Sequence, residues 1–125
     1  MAKKSAAVVW LEEPEGHDYP AAQSYLSLLF DPAHAAQWVA DLVRADMTRF
    51  YAKDIFRASG ASLLGVSNSH VQKDVRKIRK GIALSPLPLV RDPRATRLII
   101  ADGYHRLCAV YRFDEDAMIP AKICG

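Results

Sequence analysis

Leu98-Ile99-Ile100-Ala101-Asp102-Gly103-Tyr104-His105-Arg106-Leu107-Cys108-Ala109 passes from an apolar run straight into a helix-forming one. Leu98 to Ala101 reads as the end of a short strand, and Tyr104 to Phe113 reads as a helix. Asp102-Gly103 makes the turn between them. Glycine permits a sharp turn and lets a ligand approach the backbone closely. A helix start leaves N–H groups without acceptors, and the helix dipole is positive there, so the end suits an anion. His105 and Arg106 add donors in the first turn, and the planar fork of Arg106 suits a phosphate. His105 is also a candidate general base near neutral pH. Asp102 is a candidate helix cap, or a group that orients a substrate hydroxyl or holds magnesium through water. The turn thus offers His105 and Asp102 for catalysis and Gly103, Tyr104, His105 and Arg106 for binding phosphate.

Working outward, Ser67-Asn68 caps a helix expected to run through about Lys80 and to close at Gly81. Val71, Val75 and Ile78 form its apolar face. His70, Lys73 and Lys77 share a stripe at i, i+3 and i+7. With Asn68 and Ser69 at the helix start, they are candidate phosphate ligands. A solvated basic face is the competing reading. Leu87–Val90 and Arg97–Ala101 are expected strands joined by the hairpin loop Arg91–Thr96, and Ile119–Cys124 is expected as the last strand.

The N-terminal half reads differently. Ala6 to Leu11 is expected as a short buried strand, followed by a loop from Glu12 to Pro20. Ala21 to Phe30 looks helical, with Tyr25, Leu28 and Leu29 on one face. Asp31-Pro32 starts a second helix that ends near Arg44. A third is expected over Thr48 to Ala58, stopping at Ser59-Gly60. Trp10, Trp38, Tyr51 and Phe56 fall in apolar patterns and are expected in the core. A chain of 125 residues, half of them hydrophobic, fits one compact unit. The expectation is an α+β fold. Residues 60–125 form a small mixed sheet packed by helices, and residues 1–59 form a mainly helical extension packed on that core.

The order of these elements and the Asp102–Ala109 turn resemble the ParB/sulfiredoxin-like superfamily. The turn is similar to the Gly-x-x-Arg-x-x-Ala box of ParB-type domains, to the Gly-Cys-His-Arg turn of sulfiredoxin and to the Asp-Gly-x-x-Arg turn of free-serine kinases. Ile119-Pro120-Ala121-Lys122-Ile123 resembles the closing strand of these domains, and the likeness covers roughly residues 60 to 125. It implies a nucleotide ligand (ATP, ADP or CTP, with or without magnesium) held at the turn, with NTP hydrolysis or phosphate transfer as the associated chemistry. Tyr104 stands where sulfiredoxin has its cysteine, so sulfinic acid repair is not expected. Phe56 to Val71 lacks the acid that the kinases use. Glu12, Glu13, Glu15, His17 and Asp18 cluster on one loop, which would supply a base or magnesium contacts if it reached Gly103.

Charge is divided along the chain. Residues 1–66 carry a net −2 and residues 67–125 a net +5. The basic half holds the turn, which suits a nucleotide and, more weakly, nucleic acid. The alternatives to an enzyme are a non-enzymatic module that binds a ligand, a protein or a second copy of itself, and a DNA-binding ParB-like protein. Aromatics do not interleave the basic residues of Ser69–Lys80, as a single-strand binder would want. Cys108 and Cys124 make no disulfide framework, and no Cys/His spacing matches a zinc site. The basic start Met1–Ser5 is followed by an apolar run too short for a signal peptide, and no stretch is long enough to span a membrane. A reducing cytoplasm is the expected compartment.

Overall fold

The computed structural model describes residues 7–125 as α1 (Asp18–Leu26), α2 (Pro32–Arg44), β1 (Thr48–Tyr51), α3 (Ala52–Ser59), α4 (Ser69–Arg79), β2 (Leu87–Asp92), β3 (Arg97–Ile100), α5 (Tyr104–Phe113) and β4 (Met118–Cys124). The four strands make one mixed sheet in the order β1-β4-β2-β3. β2 runs parallel to β4, with Leu87 opposite Ala121, while the β1–β4 and β2–β3 pairs are antiparallel. The fold is α+β.

Strand periodicity explains the layering. Successive side chains point to opposite faces. Leu87 and Leu89 enter one core with Ile119, Ala121, Ile55, Val71, Val75, Ile78 and Leu107. Val90 enters the other with Ile99, Ala22, Leu26, Val39 and Leu42. The sheet is therefore covered on one face by α1 and α2 and on the other by α3, α4 and α5. A strand buried on both faces reads as a continuous apolar run, as Leu87-Pro88-Leu89-Val90 does. Lys122 on β4 is buried, and its ammonium donates to Val43 O at 2.9 Å and lies 3.3 Å from Glu13. No helix among the described residues is long and apolar enough to cross a membrane.

Several boundaries follow local signals. Asp31 caps α2 by accepting from His34 N at 2.8 Å, with Pro32 at the first helical position. Asn68 caps α4 through His70 N and Val71 N. α5 starts and ends where its pattern indicates.

Four expectations are corrected. Thr48–Tyr51 is a strand rather than the start of a helix, because it pairs with Met118–Ala121 of β4. Tyr51 is accordingly exposed and not in the core. The first helix begins at Asp18, not Ala21: Pro20 lies in its first turn, where its missing N–H costs nothing. It ends at Leu26 rather than Phe30; its buried face is Asp18, Ala22 and Leu26, Tyr25 is exposed on it, and Leu28 and Leu29 are exposed in the turn that follows. The expected strand Ala6–Leu11 begins outside the described residues. Its described part makes a single parallel bridge, Trp10 to Leu84, with Val9 and Leu11 exposed. The Met1–Ser5 start also lies outside them.

Candidate functional site

β3 delivers the chain to Gly103, which adopts φ +87°, a left-handed conformation that favours glycine. A side chain there would also collide: a Cβ would stand 2.5 Å from Leu87 Cδ2 and 2.6 Å from Arg106 Nη2. Gly103 is the N-cap of α5, and no side chain caps the helix. The first backbone bond of α5 runs from Leu107 N to Gly103 O, so the earlier N–H groups have no helical acceptor. Asp102 therefore does not cap α5, as one reading of the turn expected. At α4 the corresponding groups are already taken by Asn68.

Asp102 instead joins an ion-pair cluster. Arg106 Nη2 lies 3.5 Å from Asp18 Oδ2 and 3.8 Å from Asp102 Oδ2, and it donates to Pro86 O at 3.4 Å. Asp18 is 1 % exposed and also accepts from the Ser85 hydroxyl. Ser85 Oγ in turn accepts from Glu15 N at 3.0 Å, which ties the N-terminal loop to the turn. Burial pushes the Asp102 carboxyl above the usual carboxylate range, Asp18 nearby adds to this, and Arg106 opposes it. Arg106 is thus a partnered, largely buried cation.

A polar pocket of about 220 Å³ opens against this cluster. Its walls come from four places: His70, Lys73, Asp74 and Lys77 on α4; Asp102, Gly103, His105 and Arg106 at the turn; Glu15 and His17 on the N-terminal loop; and the segment before β2 that carries Ser85. The His70–Lys73–Lys77 stripe and the Asp102–Arg106 turn, read separately in the sequence, therefore meet. The acidic loop reaches them in part. Glu15 and His17 line the pocket and Asp18 holds Arg106, whereas Glu13 faces Lys122.

Three candidate ligands do other things. Asn68 spends its side chain on capping α4. Ser69 is exposed and, like Asn68, does not line the pocket. The Tyr104 hydroxyl donates to Ser62 O, and its ring borders a second cavity. That cavity, about 520 Å³, is mainly apolar and is walled by Tyr25 of α1, Leu29 in the turn after it, Leu98 and Ile100 of β3, and Tyr104. Asp102, Gly103 and His105 border both cavities.

The electrostatics within the polar pocket are mixed. Asp74 is buried on α4, and burial raises its carboxyl against the pull of Lys77, Arg106, His105 and Lys73. Burial also lowers the His105 imidazole, with His70 adding in the same direction and Asp74 opposing. His105 therefore favours its neutral form, the form a base needs.

One feature escaped the sequence reading. Asp74 carried no signal beyond its place on a helix, and its burial depends on α5 packing beside it. Glu15, His17 and Asp18, part of the loop read as a source of magnesium contacts, bring potential ligand atoms within 4.8 Å of one another, a spacing at which they could hold a divalent cation. The clustered acids on that loop were the available signal. Cys108 is a buried filler: burial raises its thiol, and its sulfur accepts from Leu64 N at 3.5 Å. No protein-family model, curated protein or solved structure matches the chain.

Proposed function

We propose that this is a nucleotide-binding domain of ParB/sulfiredoxin-like type, with the phosphates in the polar pocket and the base in the apolar cavity across the turn. The observation that carries the reading is the shared border: an uncapped helix start faces a polar chamber with Lys73 and Lys77 and also edges an apolar one with Tyr104 and Tyr25. Nucleotide sites combine these two chemistries, donors for the phosphates and flat apolar surface for the base. What supports the likeness to the superfamily is the succession of helix, strand, hairpin, strand, glycine turn, helix and strand. ATP, ADP or CTP fits the arrangement, and the carboxylates of Glu15 and Asp18 are the oxygen ligands that would hold a magnesium ion beside the phosphates. Such an ion would neutralise phosphate charge. Phosphate hydrolysis or transfer is the reaction the site is equipped for. The two free thiols suit a reducing cytoplasm.

A second reading, a protein-binding module, draws on the exposed Tyr25, Leu28 and Leu29 at the end of α1. Titration calorimetry against ATP, ADP and CTP separates the two. The wild type should bind at least one of them. Lys73→Ala and Lys77→Ala should each weaken binding roughly tenfold to hundredfold, the value of one charge-assisted hydrogen bond. Neither lysine is buried, so melting temperatures should hold. Unchanged affinity in both variants would place the phosphates elsewhere.

A further inference from the structure

Three of the four histidines of the chain, His17, His70 and His105, line the polar pocket. The fourth, His34, stacks on Trp38 at 5.1 Å and is accounted for by packing. His70 and His105 come from different helices, yet their ring centroids lie 4.9 Å apart and the rings are tilted by 38°. Both occupy the second position of their helices, where the dipole is positive. A core does not need two imidazoles at such a place. His70 is exposed and His105 half-buried, so neither is fixed there by the demands of a sealed interior. Two imidazoles facing one pocket are chemically equipped to serve as a proton donor and a proton acceptor for a bound ester.

We propose that His70 and His105 are the acid and base of a phosphate monoester hydrolysis, with the nucleoside of a 5′-nucleotide as leaving group. The inference rests on the phosphate reading of the pocket and deepens it. Lys73 and Lys77 hold the phosphate oxygens. His105 takes a proton from a water as the water oxygen attacks phosphorus. The bond between phosphorus and the ester oxygen breaks, and His70 gives its proton to that oxygen as it leaves. The products are inorganic phosphate and an alcohol. His105 ends with the proton that His70 lost, and exchange with solvent resets the pair.

Spacing and burial both fit this assignment. The two rings come from different helices, lie side by side, and face one pocket with Lys73 and Lys77. Burial lowers the His105 imidazole and so favours the neutral form that a base needs, whereas His70 is exposed to solvent. Around His105 stand His70 and Asp74 from α4, Asp102 and Arg106 from its own turn, and Glu15 and His17 from the loop. Asp74 favours protonated His105, which steadies the imidazolium formed during attack.

The test compares two esters on the full chain. Adenosine leaves AMP as an alkoxide and needs a proton, whereas p-nitrophenol leaves its ester as a stabilised phenolate and does not. The wild type should release phosphate from both, with a bell-shaped pH dependence of kcat on AMP. His70→Gln should lose about a hundredfold or more in kcat on AMP and little on p-nitrophenyl phosphate. His105→Gln, with His105→Asn as a second variant, should lose activity on both esters. Unchanged circular dichroism and cooperative melting should show that the variants are folded. AMP binding without phosphate release, or release that survives both substitutions, would overturn the inference and leave the phosphate reading standing. No binding of AMP, ATP or CTP by the wild type would overturn both.

Discussion

Arg106 shows how a residue that reads as a ligand is also a structural tie. Its guanidinium faces Asp18, which is 1 % exposed, and Asp102. Removing one member of a buried pair leaves the other charge without compensation, at a cost of about 3–5 kcal/mol. Arg106→Ala should therefore lower stability by roughly that amount in denaturant titrations, and any loss of nucleotide binding in it would reflect the fold as much as the site. A stability change below about 0.5 kcal/mol, the range of ordinary surface substitutions, would show that Asp18 does not depend on Arg106. Asp74 gives a prediction about pH. Burial raises its carboxyl above the ordinary 3.8, so ionisation favours the unfolded chain. The stability that comes from its protonated form is complete below the unfolded value and is lost as pH rises through the raised, folded one. Asp102 acts in the same direction. Asp74→Asn keeps the shape and removes the ionisation. Its melting temperature should match the wild type near pH 3 and exceed it increasingly from about pH 4 to 7, above the ordinary carboxylate value. A constant offset across that range would count against this account.

Elements whose boundaries depend on neighbouring residues were legible, and those that depend on distant partners were not. Asp31-Pro32 and Asn68 announce α2 and α4 because capping is satisfied within three residues. Asn68→Ala should cost about 1 kcal/mol in thermal or chemical unfolding, with nucleotide affinity unchanged, since its side chain serves the helix rather than the pocket. A selective loss of affinity at constant stability would return Asn68 to the site. Thr48–Tyr51 misled the helical reading because its conformation is set by pairing with β4, some seventy residues on, and strand preference follows such context more than composition. Pro20 suggested a loop, whereas the first turn of α1 accommodates it. The stripe His70, Lys73, Lys77 and the turn Asp102–Arg106 were each readable from spacing. Their meeting in one pocket came from the packing of α4 against α5, through Val71, Val75 and Leu107. The tie between Asp18 and Arg106 had no local signal, because it joins the two ends of the chain.

Across the whole molecule, the acidic and basic halves converge on one place. The half with net −2 supplies Glu15, His17 and Asp18, and the half with net +5 supplies Lys73, Lys77, His105 and Arg106. The three-layer arrangement makes this convergence possible. α1 on one face of the sheet and α4 and α5 on the other all reach the end of β3, where the glycine turn emerges. The N-terminal segment thereby walls both cavities, through Glu15 and His17 on the polar side and through Tyr25 and Leu29 on the apolar one. The most direct measurement is a crystal structure of the full chain grown with a millimolar phosphonate analogue of AMP, which it cannot hydrolyse. The account predicts phosphonate density between Gly103, Lys73 and Lys77, with the base against Tyr104 and Ile100 on the other side of the turn. Phosphonate density away from Gly103, or both cavities empty at that concentration, would contradict it.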